Sequence, residues 1–267
     1  MNTPQPDTPR IFITGASSGL GAALARHYAE QGARLGLVAR RQDVLEQLRA
    51  GLPHPERHSI HPVDVTDHAA LAKAAAAFIE QHGGADVVIA SAGISHGTLT
   101  DHLEDLPVFG QIIATNLLAT VATFAPFVAT LKAQAAAGQR STRLVGIASV
   151  AGIRGLPGAS AYSASKAATI SYCESLRVEL KASGVKVVTI APGYIDTPMT
   201  QGNSYAMPFL MPAHKFARAA AAAIDAGTSY TVIPWQMGVV AKLLRAMPNV
   251  VYDFLFSRAP RKSRSEP

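Results

Sequence analysis

Several features are scarce in this 267-residue sequence, and each scarcity excludes a class of protein. Cys173 is the only cysteine, so no intramolecular disulfide can form and a reducing compartment is the natural setting. Charged residues make up only 16% of the chain and hydrophobic residues 48%, which argues against disorder over most of the length. The nine histidines show no metal-ligand spacing, so we expect no metal site.

The sequence also lacks a recognisable leader and a long apolar run. Residues 1–9 contain three prolines and no apolar stretch, so we expect a disordered N-terminal extension and no signal peptide. We find no run of about 18 apolar residues and therefore expect no transmembrane helix. These absences favour a cytoplasmic protein. The C-terminal segment adds the expectation of peripheral contact at the inner membrane face.

Positive charge exceeds negative charge, but it is concentrated at one end of the chain. The net charge is +6, and the last ten positions contain four basic residues: Arg258, Arg261, Lys262 and Arg264. The rest of the chain is only mildly basic. A localised basic tail is typical of a solvated chain end, so we expect no nucleic-acid partner.

Apolar segments of strand length alternate with helical patterns along most of the chain. The predicted strands are Arg10–Thr14, Arg34–Ala39, His58–Val63, Ala85–Ala90, Arg143–Ala148, Val185–Ala191 and Thr231–Pro234. The predicted helices between them are Ala22–Gln31, Gln42–Ala50, Ala69–Gln81, Pro107–Ala137, Tyr162–Ala182 and Lys215–Ala226. Strands that are apolar on every face belong to a parallel sheet covered on both sides. The sequence therefore predicts a single α/β domain of the Rossmann type, a doubly wound parallel sheet flanked by helices, with ligands beyond the carboxyl ends of the strands.

A glycine-rich turn joins the first strand to the first helix. Small residues there let the backbone approach a pyrophosphate, whose charge is favoured by the N-terminus of the following helix. The spacing Gly-x-x-x-Gly-x-Gly differs from the standard Gly-x-Gly-x-x-Gly fingerprint, and a plain turn is the alternative. Because three glycines destabilise a helix start, we favour a cofactor site. Its candidate residues are Gly15, Ser17, Ser18, Gly19, Leu20 and Gly21.

Two arginines follow the second strand, where an NAD site usually has an acid for the ribose 2′-hydroxyl. Ala39 holds the acid's place, and Arg40 and Arg41 come next. Two cations are unfavourable at the positive end of the following helix, but a bound 2′-phosphate would reverse that penalty. We therefore predict NADP(H) as the cofactor. The alternative is that both arginines are solvated loop residues.

The ends of the third and fourth strands supply further candidates by position alone. Asp64 and Val65 would border the adenine ring, although Asp64 could instead cap the next helix. Ser91, Ala92 and Gly93 are small enough for a ribose to pass.

The segment Tyr162-Ser163-Ala164-Ser165-Lys166 places a phenol and an ammonium on one helix face, one turn apart. A neighbouring ammonium favours the phenolate and lowers a pKa that starts near 10, which brings the phenol closer to acid–base use at neutral pH. Ser149 lies directly after the fifth strand, where the topology expects active-site groups. The ordinary alternatives are a helix-surface Tyr–Lys pair and a turn serine. Together the three residues predict a catalytic centre.

On these residues the chain resembles the short-chain dehydrogenase/reductase family over roughly residues 10–235. The resemblance rests, in chain order, on Thr14–Gly21, Asn116, Ser149, the Tyr162 and Lys166 pair, and Pro192-Gly193. It implies that Tyr162 transfers a proton, that Lys166 lowers the pKa of Tyr162 and binds the nicotinamide ribose, and that Ser149 holds the substrate oxygen. Asn116, otherwise a helix-surface amide, would help to hold a water that links Lys166 to solvent.

By the same resemblance, the segment after the sixth strand would face the nicotinamide carboxamide and the phosphates. Its candidate residues are Pro192, Gly193, Ile195 and Thr197. The alternative is a plain turn that ends the strand. The chain departs from the family at Ala90–Gly93, where the family commonly has Asn-Asn-Ala-Gly. That departure concerns sheet stability or cofactor affinity rather than proton transfer.

The segment Met199–Pro212 corresponds to the part of the family that typically covers the substrate. Its methionines and Phe209 would form an adaptable apolar wall, so we expect a small, hydrophobic alcohol or ketone as substrate; packing on the core is the alternative. The resemblance also implies a homo-oligomer, either a dimer or a tetramer.

The sequence divides into an N-terminal extension over 1–9, a dinucleotide-binding catalytic domain over 10–235, and a C-terminal amphipathic helical segment with a basic tail over 236–267. In the last of these, apolar residues lie beside cations. An interfacial helix pair on an anionic membrane surface is one interpretation. A helix that closes over the substrate site, or a subunit contact, is the other.

These features predict an NADP(H)-dependent oxidoreductase that acts on CH–OH groups or the corresponding carbonyl, with Tyr162 as general acid and base. Two alternatives remain. One is an NADP-binding regulatory or scaffold protein without turnover, which would often lose the tyrosine, lysine or serine that this chain retains. The other is a family member that catalyses epimerisation or dehydration.

Overall fold

The structure is a computed structural model that describes residues 8–139, 141–201, 203, 205–258, 262 and 264. The expected disordered extension lies almost wholly outside the described residues, as does Arg261 of the basic tail.

Seven parallel strands form the central sheet. The strands of the protein are β1 (Arg10–Thr14), β2 (Arg34–Ala39), β3 (Ser59–Pro62), β4 (Val87–Ala90), β5 (Arg143–Ile147), β6 (Lys186–Pro192), β7 (Ile195–Asp196), β8 (Met211–Pro212) and β9 (Tyr230–Ile233). Their order in the sheet is β3-β2-β1-β4-β5-β6-β9, while β7 and β8 pair separately. The order reverses between β1 and β4, which creates a crevice at their carboxyl ends. This topology confirms the predicted doubly wound fold.

Helices connect the strands and cover both faces. They are α1 (Gly19–Glu30), α2 (Gln42–Ala50), α3 (His68–His82), α4 (Leu106–Ile113), α5 (Ala119–Phe124), α6 (Val128–Ala136), α7 (Ser160–Glu179), α8 (Pro198–Gln201), α9 (Ala213–Asp225), α10 (Trp235–Ala246) and α11 (Asn249–Phe256). The single helix predicted over Pro107–Ala137 is wrong in detail. A π-helical turn over Ala114–Leu118 and a 3-10 turn over Ala125–Phe127 interrupt it. The second interruption contains Pro126, which has no amide hydrogen to donate to the helix.

Side chains of the sheet alternate between two apolar cores, one on each face. Ile11 and Ile13 of β1 belong to the core shared with α1, α2 and α9. Phe12, between them, belongs to the core shared with α3, α5 and α7. The two-residue repeat of a strand produces this alternation, and helices on both sides exclude water from both faces. The strands are therefore held rigidly, and the segments after their carboxyl ends are fixed in place.

By length and composition, the helical stretch Leu103–Ala136 could cross a membrane. The stretch is not an uninterrupted apolar run, because polar residues such as Gln111, Asn116 and Thr120 lie within it. One side of it packs into the core, while Leu103, Leu106 and Leu118 are exposed. Phe124, Phe127 and Leu131 are fully buried, and the ring of Phe127 lies 4.9 Å from that of Phe12 in β1.

Candidate active site

A cavity of about 700 Å³ opens beyond the carboxyl ends of strands β1 to β6. All the cofactor residues that the sequence predicts line this cavity, and Ser149 lines it with them: Gly15, Ser17, Ser18, Gly19, Leu20, Gly21, Arg40, Arg41, Asp64, Val65, Ser91, Ala92, Gly93, Tyr162, Lys166, Pro192, Gly193, Ile195 and Thr197. Of the predicted site residues, only Asn116 does not line it. The fold thus gathers residues from seven separate chain segments around one space.

Backbone atoms approach one another closely in the glycine-rich turn. Gly15 has a φ of +71°, and a Cβ atom there would lie 2.8 Å from the backbone of Ala92. A Cβ on Gly21, in the first turn of α1, would lie 2.2 Å from the carbonyl oxygen of Gly15. Ser18 precedes α1 in an extended conformation and makes no side-chain cap with the helix. The N-terminus of α1 therefore faces the cavity with amide hydrogens available to an anion.

The hydroxyl of Thr14 ties the first strand to the segment after β4. It donates to the carbonyl of Ile89 at 3.5 Å and accepts from the amides of Ser91 and Ala92 at 3.2 and 3.4 Å. These contacts hold the segment that departs from the family's Asn-Asn-Ala-Gly pattern. The hydroxyl of Ser91 is itself buried on the cavity wall and has no partner within the described residues. Such a group is expected to bond to whatever fills the cavity.

Both arginines after β2 are exposed at the cavity rim. A guanidinium nitrogen of Arg41 donates to the hydroxyl of Ser17 at 3.3 Å, so Arg41 reaches across to the glycine-rich turn. Arg40 lies 3.8 Å from a carboxylate oxygen of Asp64, with 74% of its side chain exposed. An ion pair this exposed contributes little to stability, so both cations remain available to a ligand.

Asp64 does not cap the third helix. Its carboxylate accepts from the amide and the hydroxyl of Thr66, at 2.9 and 2.8 Å, and these bonds lower the pKa of Asp64. The cap of α3 is Asp67, which accepts from the amide of Ala70 at 2.9 Å. The capping alternative for Asp64 is therefore wrong, because the helix begins at His68, one residue after Asp67.

Tyr162, Ser149 and Lys166 meet at one end of the cavity. Tyr162 lies within hydrogen-bonding reach of Ser149, whose hydroxyl accepts from the amide of Ala151 at 3.2 Å. The ammonium of Lys166 lies 5.8 Å from the centre of the Tyr162 ring and donates to the carbonyl of Ile147 at 2.8 Å. The three side chains whose pairing the sequence predicts are thus within reach of one bound molecule.

The electrostatics of Tyr162 differ from the sequence-based expectation. Burial raises the pKa of Tyr162 above its usual value near 10, and the hydrogen bond with Ser149 lowers it. Lys166 was expected to lower this pKa, but in this arrangement its ammonium is engaged with the backbone of Ile147. At neutral pH the phenol is accordingly protonated.

Lys166 is only 5% exposed, and burial lowers the pKa of its amine from 10.5 to about 8. Below pH 8 the folded protein must hold a buried ammonium; above pH 10.5 both the folded and the unfolded chain hold the neutral amine. Between these values the unfolded chain binds more protons, so the free energy of unfolding should rise by about 3 kcal/mol. Urea denaturation measures the free energy of unfolding of the ligand-free protein and of Lys166→Met. The difference between these two free energies should change by this amount between pH 8 and pH 10.5. A difference independent of pH would contradict the burial of this amine as an ammonium.

Asn116 is fully buried behind the cavity wall, so the alternative of a helix-surface amide is wrong. Its carbonyl oxygen Oδ1 accepts from the amide of Ile94 at 2.8 Å, and Nδ2 donates to the carbonyl of Ile94 and to the hydroxyl of Ser165, both at 3.0 Å. Asn116 lies in the π-helical turn and joins the segment after β4 to α7. In this arrangement the side chain holds Ile94 against Ser165 of α7. Gly93 lies beside it, since a Cβ on Gly93 would lie 3.2 Å from its Oδ1 and 3.6 Å from the amine of Lys166.

A family model described as short chain dehydrogenase matches residues 9–207, which include all of these site residues. The chain belongs to the short-chain dehydrogenase family. It is accordingly an oxidoreductase, and its sheet with flanking helices is the fold of that family.

Three known proteins resemble the chain over more than four fifths of its length. An uncharacterized oxidoreductase of Myxococcus xanthus is 36% identical over 249 residues, which is 91% of this chain and 94% of that protein. A 3-ketoacyl-(acyl-carrier-protein) reductase from Brucella melitensis, solved with NADH, has a TM-score of 0.76, is 24% identical, and covers 84% of this chain and 96% of its own. An alcohol dehydrogenase from the archaeon Thermococcus sibiricus, solved with 5-hydroxy-NADP, has a TM-score of 0.75 at 24% identity, covering 85% of this chain and 96% of its own. These two structures share the fold.

Sequence reasoning missed several residues of the cavity wall in this short-chain dehydrogenase. They are Val63, Thr66, Ile94, Gln111, Ala114, Thr115, Ile147, Ala148, Pro198 and Thr200, together with Ala39, which was considered only as a missing acid. Gln111 and Thr115 could have been found, because they are polar residues four apart on one face of a predicted helix. The others have no local signal, and except for Ala114 of the π-helical turn they lie at or after the end of a strand.

The basic tail is not simply a solvated end. Arg264 donates to both carboxylate oxygens of Asp105, at 2.9 and 3.0 Å, and to Glu104 at 2.9 Å. The amine of Lys262 donates to the hydroxyl of Ser95 at 2.8 Å. The expectation of a solvated tail is wrong for these two cations, because acids and a hydroxyl after β4 lie within their reach. Within the described ranges, no three His, Cys, Asp or Glu side chains are grouped as metal ligands.

Proposed function

We propose that this chain transfers a hydride between NADP(H) and a hydrophobic carbonyl or alcohol substrate, with Tyr162 as general acid and base. The observation that carries the proposal is the meeting of Tyr162, Ser149 and Lys166 at one end of the cavity whose other end is the glycine-rich turn. Membership of the short-chain dehydrogenase family supports the oxidoreductase chemistry.

The residues of the cavity fit a nicotinamide dinucleotide. Gly15 and Gly21 have no Cβ, and they lie at the N-terminus of α1, where a pyrophosphate is favoured. A Cβ at either position would occupy space that the close backbone contacts do not leave free. The buried hydroxyl of Ser91 lacks a protein partner in the described ranges and suits a ribose hydroxyl or a base nitrogen. Lys166 and Tyr162, which line the same cavity, would hold the nicotinamide ribose. When bound, the cofactor supplies the hydride.

The protein's own side chains hold the substrate oxygen and move the proton. The hydroxyl of Ser149 holds the carbonyl oxygen within reach of Tyr162. Because burial keeps the phenol of Tyr162 protonated, it is in the form that donates its proton to this oxygen during reduction. The resulting phenolate would face the cavity, where the hydroxyl of Ser149 would stabilise it, and the cation of Lys166 lies 5.8 Å from the centre of the ring. In oxidation the same phenolate accepts the proton of the alcohol.

Preference for NADP(H) is supported by Arg40 and Arg41 at the rim and by the absence of an acid at the buried Ala39. Charge-assisted hydrogen bonds to a phosphate are worth about 1.5–3 kcal/mol each. We therefore expect Arg40→Ala combined with Arg41→Ala to lower kcat/KM for NADPH by about 100-fold and to leave kcat/KM for NADH within about twofold.

The matched control for this change is Arg57→Ala, because Arg57 is an exposed arginine that does not line the cavity. It should leave turnover with both cofactors unchanged. Steady-state rates with NADH and NADPH measure the effect. A wild-type protein that prefers NADH would contradict the assignment of the two arginines to a 2′-phosphate.

A hydrophobic substrate is supported by the segment after β6. Met199 lines the cavity, and Phe209 and Leu210 are about half exposed nearby in sequence. The rings of Tyr194 and Tyr205 lie 6.3 Å apart, centre to centre, and add aromatic surface to the same segment. The test is a panel of aldehydes, ketones and acyl thioesters of increasing chain length, followed by the absorbance of NADPH. Oxidation of NADPH that rises with apolar chain length is expected; binding of NADPH without oxidation across the panel would favour a regulatory protein.

A further inference from the structure

The two C-terminal helices present large apolar side chains to the outside. Seven of them are between 46% and 82% exposed: Trp235, Val239, Leu243, Val250, Val251, Phe254 and Leu255. In α10, Trp235, Val239 and Leu243 follow one another at four-residue intervals, and in α11 so do Val250 and Phe254. Since residues four apart share one face of a helix, each helix has a single apolar face turned away from the fold. We call the seven side chains the C-terminal apolar surface.

Positive charge accompanies this surface. Lys242 lies three residues after Val239 and therefore on the same face of α10. Arg245 and Arg258 are exposed at the ends of α10 and α11. The only acid between Trp235 and Arg258 is Asp253. The C-terminal apolar surface thus has cations beside it and almost no negative charge.

The inner faces of the two helices are fixed to the fold by Arg154. Its guanidinium donates to the backbone carbonyls of Leu244 and Met247 and to the side chain of Asn249, the last at 3.0 Å. It also lies over the ring of Tyr252, 3.9 Å from the ring centre. The helices therefore cannot turn their apolar faces inward without breaking these contacts.

This anchor is close to the candidate active site. Arg154 lies in the segment between Ser149 and Tyr162, and the hydroxyl of Tyr252 donates to the carbonyl of Gly155. The 3-10 turn Val150–Gly152 contacts both α7 and α10. The C-terminal apolar surface is therefore attached to the chain segment that links the two proton-handling residues.

We propose that the C-terminal apolar surface docks onto a lipid bilayer that contains anionic lipids. Its apolar side chains would be buried at the boundary between headgroups and acyl chains, and Lys242, Arg245 and Arg258 would lie among the anionic headgroups. Charge favours a bilayer over a second copy of this chain. A two-fold contact brings the same surface of both copies together, so the three cations of each copy would share one interface with those of the other, and only one acid from each copy would offset them.

Sedimentation of the full chain with vesicles tests the proposal. We expect binding to phosphatidylcholine vesicles that contain about one quarter phosphatidylglycerol, weaker binding to pure phosphatidylcholine, and loss of binding as salt increases. Leu243→Ser combined with Phe254→Ser should lower the partition coefficient at least about tenfold. Lys242→Gln combined with Arg258→Gln should lower it about tenfold on the anionic vesicles and little on the neutral ones.

The matched control is Val178→Ser, which removes an apolar side chain that is 63% exposed on α7, outside the surface. It should bind vesicles as the wild type does. Thermal denaturation verifies that each variant is folded. We expect every variant to fold because the changed side chains are exposed. Tyr162→Phe should also bind normally, so membrane docking is tested separately from the proposed activity.

Two results would overturn the proposal. One is a wild-type chain that does not sediment with anionic vesicles. The other is a wild-type oligomer that dissociates in the Leu243→Ser and Phe254→Ser variant while neither protein binds lipid, since the surface would then be a subunit contact.

Discussion

Replacement of Tyr162 by phenylalanine should lower kcat about 1,000-fold while cofactor affinity stays within about twofold of the wild type. The change removes one hydroxyl and keeps the ring. That hydroxyl is the group that can pass a proton to the substrate oxygen, because Ser149, its hydrogen-bond partner, is a far weaker acid. The cofactor loses at most one of many contacts, since the rest of the cavity is unchanged. Turnover at saturating substrate and a cofactor titration by fluorescence measure the two quantities.

Tyr172→Phe is the matched control for this substitution. Tyr172 lies in the same helix, α7, and its ring stacks on that of Phe124, with the ring centres 6.3 Å apart. Loss of its hydroxyl should leave kcat within about twofold of the wild type. If Tyr162→Phe retained more than about a tenth of the wild-type rate, Tyr162 would not be the proton donor and another group would have to be sought.

The parts of the fold with a local signal were predictable from the sequence. The bounds of β1, β2 and α2 coincide with the predicted ranges, because apolar runs and polar boundaries define them within a few residues. The cavity wall was also largely predictable, since it follows from a general rule that ligands bind after the strands of a doubly wound sheet. Local pattern and global topology agree at these positions.

The parts that depend on distant partners were not predictable. Asn116 reads as an ordinary helical amide, and its burial depends on Ile94 and on Ser165, which is 49 residues away in the chain. The π-helical turn around it has no signature in the local sequence. Arg154 likewise reads as a loop arginine, yet it contacts a carbonyl 93 residues further on, at Met247. Such contacts are consequences of the assembled fold, so single-residue patterns do not contain them.

The electrostatics of the proton donor show the same limit. The spacing of Tyr162 and Lys166 predicts that the ammonium lowers the pKa of the phenol. The structure adds burial, which raises the pKa, and a carbonyl of β5 that holds the ammonium. Burial depends on everything packed around the pair. The spacing of two residues therefore determines that they are neighbours, but it does not determine the sign of the net pKa shift.

Alanine substitutions at two glycines distinguish the effect of close backbone approach from the effect of helix propensity. In Gly21→Ala, the new Cβ would lie 2.2 Å from the carbonyl oxygen of Gly15 and 2.7 Å from its carbonyl carbon. Both are backbone atoms that cannot rotate away, so the glycine-rich turn must move. Overpacking of this kind costs about 1–3 kcal/mol of stability. The displaced amides would also lose hydrogen bonds to the cofactor phosphates, and we expect the cofactor Kd to rise about 100-fold.

The same substitution at Gly110 should have the opposite effect on stability. Gly110 lies inside α4 and is exposed, and apart from the backbone of its own helix no described residue has an atom within 4 Å of the place a Cβ would take. Alanine is favoured over glycine in a helix interior by about 0.5–1 kcal/mol, so Gly110→Ala should be more stable than the wild type by that amount and bind the cofactor normally. Urea denaturation with and without NADPH measures both variants. If Gly21→Ala bound NADPH as tightly as Gly110→Ala does, the close contact between Gly21 and Gly15 would have no part in holding the phosphates, and the cofactor would have to bind elsewhere in the cavity.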